Sequence, residues 1–248
     1  MERRRHTRVG VVFALQDEER GLRNALAESR SRLRHSDGYD VWRIGDAEAL
    51  VIVGGVGRKR CIQAVRQLIE AGAQWIVSAG FAGGLDPVAA VGDVIAASRI
   101  LSQADPSDVL ESDPRLLPAV PPSGKFGFVI RHADLVTIDK VVCAASEKAA
   151  IYRSTGAAAM DMESHAAAQE CRRAGVPFLA VRSISDAADE DLPGIIPVMT
   201  TTISAIRRLA LLCSDPGVWY RLARLRAQAR TAGDNLGEVL ALMLLRLA

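Results

Sequence analysis

Short β-branched runs alternating with longer helical patterns constrain this chain more than any other feature of it. Val9 to Leu15 reads as a first strand, Asp17 to Leu33 as an amphipathic helix, and Tyr39 to Ile44 and Leu50 to Val53 as further strands. Between Arg58 and Ala71, Ile62, Val65, Leu68 and Ile69 recur at the spacing of one helix face, and Gly72 supplies a stop. Strands follow at Trp75 to Ala79, Val91 to Leu101 and Phe126 to Ile138. A loop at 105–124, rich in proline, serine and aspartate, separates the last two and is expected to be mobile. Val176 to Ile184 reads as a late buried strand whose carboxyl end runs into Asp186, Asp189, Glu190 and Asp191. Beyond Pro193 the pattern is helical, in segments at 197–212, 216–230 and 235–247. The chain is therefore predicted to be α/β, with residues 1–192 as the main domain and 193–248 as a helical extension packed on it.

Composition narrows what such a fold is for. The 248 residues are 49% hydrophobic and 24% charged, which excludes a disordered or fibrous chain. A net charge of +2 gives no general case for nucleic-acid binding. Cys61, Cys143, Cys171 and Cys213 form no CxxC pair, so buried thiols in a reducing cytoplasm are expected rather than zinc or disulfides. MERRRHTR followed by VGVVFAL imitates a signal peptide but breaks straight into QDEER, and no apolar run reaches the roughly 18 residues of a spanning helix.

Four segments carry residues suited to chemistry, and each has an ordinary structural reading beside it. Gln16-Asp17-Glu18-Glu19 lies where the first strand gives way to a helix; acids there suit the helix dipole, or one of them serves as a base. Ala79-Gly80-Phe81-Ala82-Gly83-Gly84-Leu85 is a tight turn or a place where backbone approaches a ligand, and it matches neither the Walker nor the dinucleotide fingerprint. Met160-Asp161-Met162-Glu163-Ser164 is helix-starting chemistry or a binding acid flanked by apolar residues. In Arg182-Ser183-Ile184-Ser185-Asp186-Ala187-Ala188-Asp189, the acid Asp186 is either a cap or a catalytic group at a strand mouth. His6, His35, His132 and His165 show no ligand spacing.

Together these segments, in this order and with VGDV at 91–94 between the second and third, resemble the nucleoside phosphorylase and nucleosidase superfamily. Its methylthioadenosine/S-adenosylhomocysteine nucleosidase branch is the most similar, and the resemblance runs from about Val9 to Asp189. It implies a three-layer α/β/α fold whose mixed sheet forms a distorted barrel, a homodimer or larger assembly, and cleavage of a purine nucleoside with no metal or organic cofactor. By position, Asp186 resembles the acid that protonates the purine, and Glu163 the acid that binds the ribose hydroxyls, with Met162 against the sugar. Glu18 resembles the residue that activates water, with Asp17 and Glu19 as fallbacks. Gly80 and Phe81 fall beside the sugar, Phe81 replacing a small hydroxyl residue, and Val141 and Val142 fall where an aromatic ring and backbone usually hold the base.

The chemistry fits these roles. Glycosidic cleavage passes through an oxocarbenium-like state, so one carboxyl group protonates the leaving base while others face the cationic sugar or activate water. Asp186 must then keep a proton near neutrality, through a dry pocket or neighbouring acids such as Asp189. Arg58 and Arg182 are the residues that would grip phosphate, so phosphorolysis stays open beside hydrolysis. The tail from Trp219 to Arg230 is basic and amphipathic, suited to an anionic membrane surface or to packing with a solvated arginine face. With that tail, the chain also resembles the hopanoid-biosynthesis branch, which releases adenine from adenosylhopane. Futalosine hydrolysis and a catalytically silent, nucleotide-sensing role are the further alternatives.

Overall fold

The computed structural model describes residues 7–29, 31–124, 126–192 and 216–248, without the side chains of 32 and 216–222. In chain order the elements are β1 (Thr7–Phe13), α1 (Gln16–Glu28), β2 (Arg32–Ser36), β3 (Tyr39–Ile44), β4 (Ala47–Val53), α2 (Arg58–Glu70), β5 (Trp75–Gly84) and β6 (Val94–Ser102). Then come β7 (Leu110–Glu111), a 3-10 turn at Leu117–Ala119, β8 (Ile130–Thr137), α3 (Ala145–Thr155), β9 (Ala159–Asp161), α4 (Ser164–Ala174), β10 (Phe178–Asp186) and α5 (Pro216–Leu247).

All the strands among the described residues belong to one mixed sheet, and part of it closes on itself. β5 pairs in parallel with β10 and antiparallel with β9, while β10–β6, β6–β8 and β8–β9 complete a five-strand ring. From β5 the sheet continues through β1 and β4 to the β3–β2 hairpin at its edge. Helices cover both faces. Leu22 and Leu26 of α1 and Leu236, Val239 and Leu240 of α5 pack with Val9, Val11 and Val181 on one side. On the other, Val65 and Leu68 of α2 and Ala167 and Ala168 of α4 pack with Val12, Ile76 and Ala180. The architecture is the three-layer, distorted-barrel fold that the family resemblance implies, within the α/β class read from the periodicity.

Local readings differ in five places. The first helix stops at Glu28, and 32–36 is instead an edge strand turned onto β3 through Gly38 (φ +83°). The stretch Gly80 to Gly84 is extended β5 rather than a turn, and none of its glycines has a positive φ. The loop at 105–124 is not merely a surface excursion, since its Leu116 and Val120 are buried in the core. Helix α3 and strand β9 appear where no element was expected. Finally, 216–230 and 235–247 are one helix, α5, because Gly233 and Gly237 serve close packing rather than a break. A Cβ on Gly237 would lie 2.1 Å from the Gly21 carbonyl carbon of α1, and one on Gly21 would lie 1.9 Å from the Gly233 oxygen. The segment at 197–212 and the side chains of Trp219, Arg221 and Leu222 lie outside the described residues. Among those residues no helix is long and apolar enough to cross a membrane.

Candidate active site

Strand β1 ends at Phe13 and the chain turns into α1 through Ala14 and Leu15. Glu18, one turn into the helix, reaches back so that its Oε2 accepts from the backbone N–H of Ala14 (2.9 Å) and Leu15 (2.8 Å). This caps the helix start, beyond the favourable helix dipole that is the ordinary reading of these acids. Its other oxygen faces the sheet: Oε1 accepts from Phe81 N at 2.9 Å, bridging the carboxyl end of β1 to the middle of β5. Gly80 is what makes the approach possible, since a Cβ there would lie 2.7 Å from Oε1. Burial drives the Glu18 carboxyl above its ordinary range, against the lowering effect of its backbone donors and of Arg182. Asp17 points to solvent and pairs with Arg20, and Glu19 pairs with Arg23 beside a different cavity.

Glu163 is the N-cap residue of α4, placed by the turn after β9. Its Oε1 accepts from Gly57 N at 2.9 Å, in the loop after β4 where Gly55 and Gly57 adopt φ of +91° and +104°. Burial, with Asp161 next in importance, raises the Glu163 carboxyl. Between these acids lies Arg182 of β10. Its guanidinium donates to Asp161 Oδ2 at 2.9 Å, to the Ser78 carbonyl and hydroxyl at 2.8 and 2.9 Å, and to Ser164 Oγ at 2.8 Å. Burial works against its charge, but Asp161, Glu18 and Glu163 outweigh it and raise the guanidinium. Thr137 Oγ1 donates to Asp161 Oδ1 at 2.7 Å, so the whole buried network is hydrogen-bonded.

This network encloses a cavity of about 20 Å³ lined by Glu18, Glu163, Arg182, Ser78, Gly80 and Phe81, among others. It has room for about one water and the polar partners to hold it. A wider, open cavity of about 200 Å³ adjoins it and shares Glu18, Phe81 and Glu163. Met162, Val141, Val142 and Asp186 line this larger space, with Leu15, Val56, Met160 and Leu192 adding apolar surface. The fold thus brings Glu18, Gly80, Phe81, Val141, Val142, Met162, Glu163 and Asp186 to one place, and leaves the fallback acids Asp17 and Glu19 outside it.

Asp186 differs from expectation in its company. Asp189 is exposed, on the turn beyond β10, and the groups bonded to Asp186 are instead Lys148 Nζ on Oδ2 at 2.5 Å and Ser185 Oγ on Oδ1 at 2.8 Å. Lys148 escaped the sequence reading because a lysine among alanines signals a solvated helix face; the Gly156 stop after it was the one readable sign of a helix. Arg58, a candidate for phosphate, is bonded to Gln169 and lines neither cavity. Among the described residues no cluster of His, Cys, Asp or Glu could hold a metal.

Residues 8–215 match the family model described as the phosphorylase superfamily. A 5'-methylthioadenosine/S-adenosylhomocysteine nucleosidase from Exiguobacterium is 26% identical over 206 residues, covering 74% of this chain and 87% of the relative. One from Mycobacterium tuberculosis is 24% identical over 224 residues, with 74% and 87% covered. Among solved structures, the Neisseria meningitidis nucleosidase of the same name, in complex with methylthio-immucillin-A, superposes with a TM-score of 0.72 at 19% identity, covering 96% of this chain and 99% of that one. The native futalosine hydrolase of Helicobacter pylori gives 0.71 at 17% identity, over 96% and 97%.

Proposed function

The chain belongs to the phosphorylase superfamily, and from that premise we propose that it hydrolyses the N-glycosidic bond of an adenine nucleoside with an apolar 5′ substituent. The observation that carries the choice of water is that neither arginine expected to grip phosphate is free at the inner cavity: Arg58 is bonded to Gln169 and lines no part of it. The inner cavity has room for a water among the polar groups of Glu18, Glu163 and Arg182. Arg182 is moreover already committed to Asp161, Ser78 and Ser164.

In this reading Asp186 gives N7 of the purine a proton carried on Oδ1, the oxygen not bonded to Lys148, as the bond between N9 and C1′ breaks, and the bonding pair leaves with the base. Glu163 holds the ribose hydroxyls and its charge offsets the cation growing on the sugar. Water attacks C1′ and passes its proton to Glu18, whose burial raises its proton affinity towards that of a useful base. The base lies along Val141 and Val142. Met162 packs against the sugar, and the 5′ group leaves past Leu15, Val56 and Phe81.

The apolar lining of the outer cavity supports methylthioadenosine, the substrate in the relatives' name, and also longer hydrocarbon groups such as that of adenosylhopane. The test is base release from adenosine, methylthioadenosine and a lipid-tailed adenosine, each with and without phosphate. Release from the 5′-apolar substrates at equal rates with and without phosphate is the expected result. Release only from adenosine, or only with phosphate, would overturn the reading.

A further inference from the structure

Lys148 has no part in the roles above, yet it is a fully buried cation bonded to the proposed acid. Its side chain is wholly inaccessible and does not line either cavity of the site, so it cannot touch substrate. Its three N–H groups have three acceptors: Asp186 Oδ2 at 2.5 Å, the Ala187 carbonyl at 2.7 Å and the Glu190 carbonyl at 3.0 Å. A buried ammonium is costly unless paired and fully hydrogen-bonded, and here it is both. The turn it grips is tied down from outside as well. Glu190 accepts from Gln228 Nε2 at 2.9 Å and pairs with Arg224 at 3.4 Å, both on α5, and Asp191 accepts from Ala145 N at the start of α3.

We propose that Lys148 is a positioning residue for the glycosidic acid: it fixes the Asp186 carboxyl in one orientation, with Oδ2 held from behind and Oδ1, beside Ser185, left to meet the purine. This rests on the assignment of Asp186 as the proton donor. β10 ends at Asp186 and its pairing with β5 shifts register between Ile184 and Asp186, so backbone pairing alone does not fix the side chain. Lys148 does, from the adjacent helix α3.

The test is a double-mutant cycle on kcat and KM with methylthioadenosine as substrate, using Lys148→Met, Asp186→Asn and the pair, each checked for folding by circular dichroism and Tm. A residue acting only through Asp186 costs turnover only while Asp186 is present. Lys148→Met is expected to lower kcat on the order of 100-fold with little change in KM, because a misplaced catalytic group costs about that much. In the Asp186→Asn background the same change is expected to lower kcat by less than about twofold. Equal losses in both backgrounds would overturn the proposal and leave Lys148 a general structural residue, as would a rise in KM at constant kcat. Wild-type turnover in Asp186→Asn would instead overturn the assignment of the acid, and the proposal with it. Should Lys148→Met not fold, Lys148→Gln, which keeps a donor towards Oδ2, is read by the same criteria.

Discussion

Gly80 has no room for a side chain because the Glu18 carboxylate occupies the place: a Cβ would stand 2.7 Å from Oε1, 3.0 Å from Cδ and 3.2 Å from Oε2. The carboxylate cannot swing aside freely, since three backbone N–H groups hold it. Gly80→Ala is therefore expected to push Glu18 off its donors and out of line with the inner cavity. A drop in kcat on the order of 100-fold, with the fold retained by circular dichroism, is the predicted result. Unchanged kcat would show that the position of Glu18 does not matter to turnover.

Glu163 invites a test of stability against pH. Its folded carboxyl binds a proton more readily than the ordinary value of 4.5, because burial and Asp161 disfavour its charge. Between 4.5 and the raised folded value the native state holds more protons than the unfolded chain, so stability is lost as pH rises through that window. Glu163→Gln keeps an acceptor for Gly57 N and removes the charge. It should raise Tm at pH 8, by about 2–4 °C for each kcal/mol recovered, and the gain should vanish below 4.5. Turnover should fall while Tm rises, since the ribose loses its carboxylate. A variant less stable than wild type at pH 8 contradicts this account of the acid.

The crossing of α1 and α5 sets where α1, and hence Glu18, stands. Gly237→Ala would bring Cβ to 2.1 Å from the Gly21 carbonyl carbon and 2.4 Å from Leu22 N, both backbone, so the helices must separate. Overpacking of this kind costs about 1–3 kcal/mol, or roughly 2–12 °C in Tm. Gly127→Ala, where nothing lies within 4 Å, is the control and should leave Tm unchanged. Equal Tm values for the two variants would mean that the helices are not held at this crossing.

Much of this was legible in the chain. The alternation of β-branched runs and helical stripes gave the α/β class, and the four motifs gave the candidate residues that the fold gathers around two adjoining cavities. What escaped has physical causes. Gly80, Gly83 and Gly84 look like turn residues, yet they sit in an extended strand where the Glu18 carboxylate crowds the first, Met160 and the Asp186 carboxylate the second, and the Asp186 backbone oxygen and Ile184 the third. β2 is a charged edge strand, half of a hairpin, and shows no alternation of buried and exposed residues to read. α3 is rich in alanine, so it presents no apolar stripe, and the burial of Lys148 depends on Asp186, which is 38 residues further along the chain. Contacts between distant elements of this kind are not local properties of sequence.

The central claim, that water held between Glu18, Glu163 and Arg182 is the nucleophile, is tested most directly by a single-turnover reaction in H₂¹⁸O. Methylthioadenosine is the substrate, with phosphate present, and the released sugar is analysed by mass spectrometry. The account predicts free adenine and a sugar carrying one ¹⁸O at C1′, with no sugar 1-phosphate. A sugar 1-phosphate as the first product, or release of base that stops when phosphate is withdrawn, would contradict it.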